Sequence, residues 1–201
     1  ACIAAGDDVP EAAVFHFPGG LADYLTERLE GAQTYAERAF AGKVEFAERF
    51  GAGAVGSVEW AINWTPQRDA FVSSYCNTIH TPEGGTHEQG FWAAVLKGVR
   101  AYGDLVSNRK ATQIAREDVM AGGCAMISVF IREPEFVGQT KDRLSTQEAA
   151  RLVEGAVRDR FDNWLAADTR TAGAILDYLV LKAEERLKRR AEKETARKTP
   201  V

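Results

Sequence analysis

Cys76-Asn77-Thr78-Ile79-His80-Thr81-Pro82-Glu83-Gly84-Gly85-Thr86-His87-Glu88-Gln89-Gly90-Phe91 is the stretch in which the chain changes period. Upstream, Phe71 to Ile79 reads as a strand. Thr81-Pro82-Glu83-Gly84-Gly85 is a loop, since Pro and Gly break both regular structures. Downstream, Phe91, Val95, Val99, Tyr102 and Val106 step by four or three residues and mark the buried face of a long helix, with Lys97, Arg100 and Asp104 on the opposite face. A strand passing through a tight turn into a helix is the germ of an α/β fold.

Toward the N-terminus, Val58, Trp60, Ile62 and Trp64 alternate as in a half-buried strand, and a turn at Pro66–Asp69 predicts a hairpin with the 71–79 strand. Residues 51–56 are rich in Gly and Ala, and residues 34–50 read as weakly patterned strand and loop. Leu21, Tyr24, Leu25 and Leu29 predict a helix ended by Gly31, and Val14-Phe15-His16-Phe17 a short strand stopped by Pro18-Gly19-Gly20. Toward the C-terminus, Ala125 to Ile131 predicts a buried strand. Ser145 and Glu148 read as a capping box, opening a helix that turns Leu152, Val153, Ala156, Val157, Phe161, Trp164 and Leu165 inward. Asp168 or Thr169 caps a last helix. Its apolar stripe (Ile175, Leu176, Leu179, Ala183, Leu187) stops early, while helix formers continue to Lys198. The order predicts a two-layer α/β sandwich, with helices on one face of a mixed sheet and a long C-terminal helix.

With 201 residues, 45% of them hydrophobic, the chain can bury one sizeable core. A net charge of -4 gives no global case for nucleic acid binding, but the charge is uneven. Residues 182–198 hold eight Lys or Arg against four Glu, so a +4 tail follows a −8 body. Cys2, Cys76 and Cys124 have no metal-type spacing and fit a reducing cytoplasm. No apolar run approaches the ~20 residues of a membrane span, and no signal peptide opens the chain. A start at Ala1 without Met, and a stop at Pro200-Val201 just after a charged helix, lead us to expect a segment of a longer protein.

Three places could carry chemistry. Cys76, His80, His87 and Glu88 contain metal-ligand types, but zinc sites pair their ligands at closer spacing, so no metal is expected. Gly84-Gly85-Thr86 feeds a helix N-terminus, whose amides and dipole can hold an anion. The glycine-rich nucleotide motifs need more glycines or a fixed Lys, so a tight turn is the simpler reading. Phe136-Val137-Gly138-Gln139-Thr140-Lys141 is a polar loop anchored at both ends, with Lys a compact charge suited to phosphate and Gln both donor and acceptor. By chemistry alone a solvated loop is the default there.

The 76–91 stretch resembles the Asn-Thr…Gly-Gly-Thr-His…Gly-Phe signature of gyrase and topoisomerase IV B subunits. Pro134-Glu135-Phe136-Val137-Gly138-Gln139-Thr140-Lys141-Asp142-Arg143-Leu144 resembles the same family's Gln-Thr-Lys loop, in the right order. The likeness covers about residues 14 to 198. Gly123-Cys124-Ala125 and Asn163-Trp164-Leu165 are more similar to the topoisomerase IV branch. His80 and Trp92 stand where many relatives carry other residues, so neither takes a family role.

The resemblance implies a transducer domain at 14–167, with a left-handed strand–helix–strand crossover. Residues 1–13 would be the linker from an ATPase domain, and 168–201 a helical arm toward a DNA-cleavage domain. Lys141 would stabilise the γ-phosphate of ATP catalytically, with Gln139 and Thr140 beside it, while Mg²⁺ would be bound by the ATPase domain. Lys97 and Arg100 would contact DNA. The implied partners are DNA, the topoisomerase A subunit and a second B subunit, with no membrane. The general base, magnesium ligand and DNA-cleaving tyrosine lack counterparts here, so the chain alone should be inactive. Two rivals remain: a free-standing nucleic-acid-binding α/β module using the basic C-terminal helix, and a metal-dependent hydrolase using His80 and His87.

Overall fold

The computed structural model describes residues 16–51 and 53–198. Of the short strand expected at 14–17, residues 14 and 15 lie outside the described residues, and His16 and Phe17 are in no strand. The alternating run forms β2 (Gly56–Trp64), and the weakly patterned segment before it resolves into β1 (Phe40–Glu45) and the short α2 (Phe46–Phe50). β3 (Phe71–Cys76), β4 (Ile79–His80) and β5 (Gly123–Ile131) complete a mixed five-stranded sheet in the order β1-β2-β5-β3-β4.

The hairpin expected between β2 and the 71–79 strand does not form. β5 lies between them, antiparallel to β2 with Trp60 opposite Ile127, and parallel to β3 with Ser74 opposite the same Ile127. The reason is burial: β5 is covered on both faces from Gly123 to Ile127, so it occupies the centre and pairs along both edges. Residues 65–70 carry the chain past the end of β5, where Thr65 N donates to Gly122 O at 3.1 Å. A parallel β3–β5 pair cannot be closed by a tight turn. The connection runs instead through α3 (Thr86–Leu105), a 3₁₀ turn (Arg109–Gln113) and α4 (Arg116–Met120).

Because strand residues alternate between faces, β2 and β5 build two cores. Val58, Trp60, Ile62 and Trp64 join Ala125, Ile127 and Val129 under α3, α5 (Gln147–Ala167) and α6 (Thr169–Lys198). Ala61, Cys124 and Met126 face the other way and are covered by Leu25 of α1 (Leu21–Arg28) and by Leu29 just after it. The main helical layer is thus on one face, as expected, and among the described residues α1 covers part of the other. α3 and α5 interlock at small residues: a Cβ on Gly90 would stand 2.2 Å from Ala150 O, and one on Gly98 2.4 Å from the Phe161 ring. Phe161 in turn stacks on Trp164 and meets Phe40.

Two helix starts settle differently. The Ser145–Glu148 capping box is not formed: Thr146 is the N-cap, without a side-chain cap bond, and Glu148 pairs with Arg151 at 3.1 Å. The Thr146 hydroxyl is already committed to Glu135 N at 2.8 Å. Asp168 does cap α6, accepting from Thr171 N at 3.0 Å and from the Thr171 hydroxyl at 2.6 Å, bonds that hold its carboxyl below the usual range. The first half of α6 belongs to the core through Ala172, Ile175, Leu176, Leu179 and Ala183. Arg186 then docks on Asp118, with Nε 2.8 Å from Oδ1, and Arg190 reaches Glu117 at 3.1 Å. Residues 187–197 are exposed.

Candidate functional site

The site is built around the Gly84-Gly85 turn. Both residues have φ in the region that favours glycine, +69° and +144°. Their lack of side chains lets another backbone approach, since a Cβ on Gly85 would stand 2.4 Å from Leu144 O. That backbone is the 142–144 segment: Leu144 N donates to Gly84 O at 3.0 Å, Glu83 N donates to Asp142 O at 3.0 Å, and Gly85 bridges Leu144 in parallel. The two distinctive sequence stretches, 76–91 and 134–144, therefore meet in space.

The second stretch is a small hairpin, β6 (Phe136–Val137) against β7 (Arg143–Leu144). Its tip reverses through Gly138 at φ +80° and Lys141 at φ +59°, with Lys141 N donating to Gly138 O at 3.4 Å. Gln139, Thr140 and Lys141 are all exposed. The Thr140 hydroxyl donates to the Asp142 carboxylate, which braces the tip from within. Lys141 Nζ lies 5.8 Å from the centroid of the Phe136 ring, and it forms no ion pair among the described residues. An exposed tip whose ammonium has no carboxylate partner among the described residues can act on an anion that approaches from outside.

Behind the hairpin, Asn77 at φ +49° turns its side chain onto the end of β5. Nδ2 donates to Ile131 O at 3.0 Å, Oδ1 accepts from Ile131 N at 3.0 Å, and Asn77 N donates to Val129 O at 2.9 Å. Thr86, the first residue of α3, donates from its hydroxyl to Thr146 O at 2.7 Å. Neither residue stands out for a role from sequence. The signal lies inside the 76–91 signature, where a polar residue in a tight turn is as easily read as solvent-facing.

The Cys76, His80, His87 and Glu88 group does not assemble around a common point. Cys76 is buried and its thiol is pushed up to about 11 by desolvation. His80 is exposed, its ring 5.1 Å from that of Tyr75. His87 is fully buried, with Nε2 3.3 Å from the Thr81 hydroxyl and Nδ1 lacking a partner; burial lowers its pKa to about 4, so it is neutral. Among the described residues, no three of His, Cys, Asp and Glu gather where a metal ion could be held. The glycine turn and the start of α3 are buried from Gly84 to His87, and the Glu88 carboxyl lies over Gly84, 2.7 Å from where its Cβ would be. Desolvation raises the Glu88 pKa, opposed by a Ser74 hydrogen bond and the charge of Arg116.

Lys97 and Arg100 are apart from the hairpin and already occupied. Lys97 pairs with Glu154 of α5, while Arg100 directs Nε and Nη2 onto Ile114 O at 2.9 and 2.6 Å.

A sequence profile of the DNA gyrase B family matches residues 20–195. The chain belongs to the DNA gyrase B family. It is 51% identical over 195 residues to the DNA topoisomerase 4 B subunit of Caulobacter vibrioides, and 49% identical over 194 residues to that of Bartonella bacilliformis. These alignments cover 95% and 96% of this chain but 27% of each relative, so the chain spans about a quarter of their length. Within the family, the topoisomerase IV branch is therefore favoured. In structure it is similar to the 43K ATPase domain of Thermus thermophilus gyrase B, crystallised with an aminocoumarin, at TM-score 0.74 and 26% identity over 88% of this chain and 46% of that one. The topoisomerase IV ATP-binding domain of Francisella tularensis follows at TM-score 0.68 and 27% identity, over 86% of this chain and 45% of that one. No described helix of this gyrase B-family chain is long and apolar enough to cross a membrane.

Proposed function

We propose that the chain is the transducer segment of a topoisomerase IV B subunit, in which Lys141 senses the terminal phosphate of ATP and couples its hydrolysis to strand passage of DNA. The observation that carries this reading is the Gln139–Lys141 tip: three exposed polar residues on a hairpin docked by backbone bonds to the start of a long core helix. The residues present fit one wall of a phosphate site and no more, so the remaining contacts and Mg²⁺ belong to an ATPase domain outside this chain. In the proposed division, residues 14–167 form the transducer, 1–13 the linker from that domain, and 168–201 the route to the DNA-cleavage domain. The A subunit, a second B subunit and DNA are the proposed partners, in a cytoplasmic enzyme.

The physical logic is differential binding. An ammonium that contacts the γ-phosphate favours one arrangement of the two domains, and the preference lapses once that contact is lost. Preorganised charge of this kind contributes on the order of 2.7–4 kcal/mol, or roughly 10²–10³ in rate. Lys141→Ala in the intact subunit should lower ATP hydrolysis by about that factor while weakening ATP binding less. DNA cleavage without ATP should persist. A Lys141→Ala enzyme with full ATPase and relaxation activity would make the hairpin a plain connector.

A further inference from the structure

The hairpin that carries Lys141 has few internal bonds, so something outside it must set where its tip stands. Its entry and exit are each tied to the 77–86 segment. At the entry, Asn77 mimics a neighbouring strand: its amide closes two hydrogen bonds on Ile131, the last residue of β5, and its own N–H takes Val129 O. Five residues after Ile131 the hairpin begins. At the exit, Leu144 and Asp142 are bonded to Gly84 and Glu83, and two residues later Thr146 O accepts the Thr86 hydroxyl at 2.7 Å. Entry and exit are also tied to each other, because Glu135 N donates to the Thr146 hydroxyl and Ser145 N to Glu135 O, each at 2.8 Å.

Thr86 is the link between this ring of bonds and the rigid body. It is 4% exposed and opens α3, a helix whose contact with α5 is held independently by the Gly90–Ala150 and Gly98–Phe161 approaches. The α3–α5 packing therefore does not require the Thr86 hydroxyl, which instead joins the Leu144–Gly84 and Glu83–Asp142 backbone bonds in fixing residues 142–146 against the start of α3. Asn77 stands in the same relation to β5: the parallel pairing with β3 ends at Cys76 and Val129, and the amide carries it on to Ile131.

We propose that Thr86 and Asn77 are positioning residues for ATP hydrolysis, holding the hairpin so that Lys141 meets the reacting phosphate in register. This rests on the reading of Lys141 given above. Catalysis is steeply sensitive to such placement, a misplacement of about 1 Å costing on the order of 10²-fold.

The test uses the intact B subunit assembled with its A subunit and DNA. Thr86→Val removes the hydroxyl at nearly constant shape. It should lower kcat for ATP hydrolysis by roughly 10-fold or more, with KM for ATP and the melting temperature close to the parent, and Thr86→Ser should restore the rate. Because Thr86 acts through Lys141, the Thr86→Val/Lys141→Ala double variant should be no slower than Lys141→Ala alone. Asn77→Gly keeps a residue comfortable at φ +49° while deleting the amide. It should show the same loss and the same absence of additivity, and it supplies the answer should Thr86→Val fold poorly. Losses that multiply in the double variants would overturn the proposal, as would full activity in both single variants while Lys141→Ala is impaired. Full activity in Lys141→Ala itself would instead sink the reading beneath it.

Discussion

His87 shows what one buried side chain can do to the pH dependence of the fold. Its imidazole is fully buried, Nδ1 has no partner, and burial lowers its pKa from 6.5 to about 4. In the unfolded chain the same ring takes a proton from about pH 6.5 downward, whereas the folded chain resists until about pH 4. The unfolded state therefore binds more protons across that window, and stability rises with pH through it. At 1.36 kcal/mol per pKa unit, about 3 kcal/mol is present above pH 6.5 and lost progressively toward pH 4. Glu88 works against this: its raised pKa makes acid relieve part of the cost of burying its carboxylate. His87→Gln should flatten the acid limb of a plot of urea midpoint against pH. An unchanged slope would mean that carboxylates alone cause the acid loss.

At the scale of elements, the contact between α3 and α5 reverses an ordinary preference. Alanine is about 1 kcal/mol better than glycine inside a helix, yet a methyl at Gly90 would meet Ala150 O at 2.2 Å, and that oxygen is backbone. Forcing two helices apart typically costs about 1–3 kcal/mol. Gly90→Ala should therefore lower the urea midpoint, and a raised midpoint would show the interface to be loose. The same elements show what the sequence could reveal. The 3.6-residue stripes of α3 and α5 were legible because a helix buries a face of its own, whatever it packs against, although Val106, read as the last buried step of α3, lies just past the helix and is exposed. The position of β5 was not, because apolar runs show that a strand is buried but not which edges it pairs. The turn at Pro66–Asp69 looked like a hairpin for that reason. At the site, the Gln139–Lys141 tip was legible as an anchored polar loop. Its clamp was not, because the bonds of Asn77 and Thr86 reach backbone 54 and 60 residues away, and no local pattern encodes such a partner.

On the scale of the whole molecule, charge and shape are set by α6. We propose that Lys97 and the exposed basic end of α6 meet the DNA backbone as a duplex passes. Lys97 is still 59% exposed in its ion pair with Glu154, whereas Arg100 is committed to Ile114 O. Phosphate contacts are blind to sequence and sensitive to salt, the slope of log K against log salt changing by about one per charge removed. Lys97→Ala should produce that change in the proposed dimeric enzyme, and an unaltered slope would leave Lys97 as a partner of Glu154 only. The shape has a mechanical consequence. α6 has 30 residues, so it measures about 45 Å at 1.5 Å per residue. Its first half is embedded in the core, and Arg186 is bolted to Asp118 where it leaves. Core packing and that ion pair fix the root of α6 to the body, so the helix is a lever mounted on it. A rotation of about 10° about the first residue of α6 would sweep the last one through about 8 Å.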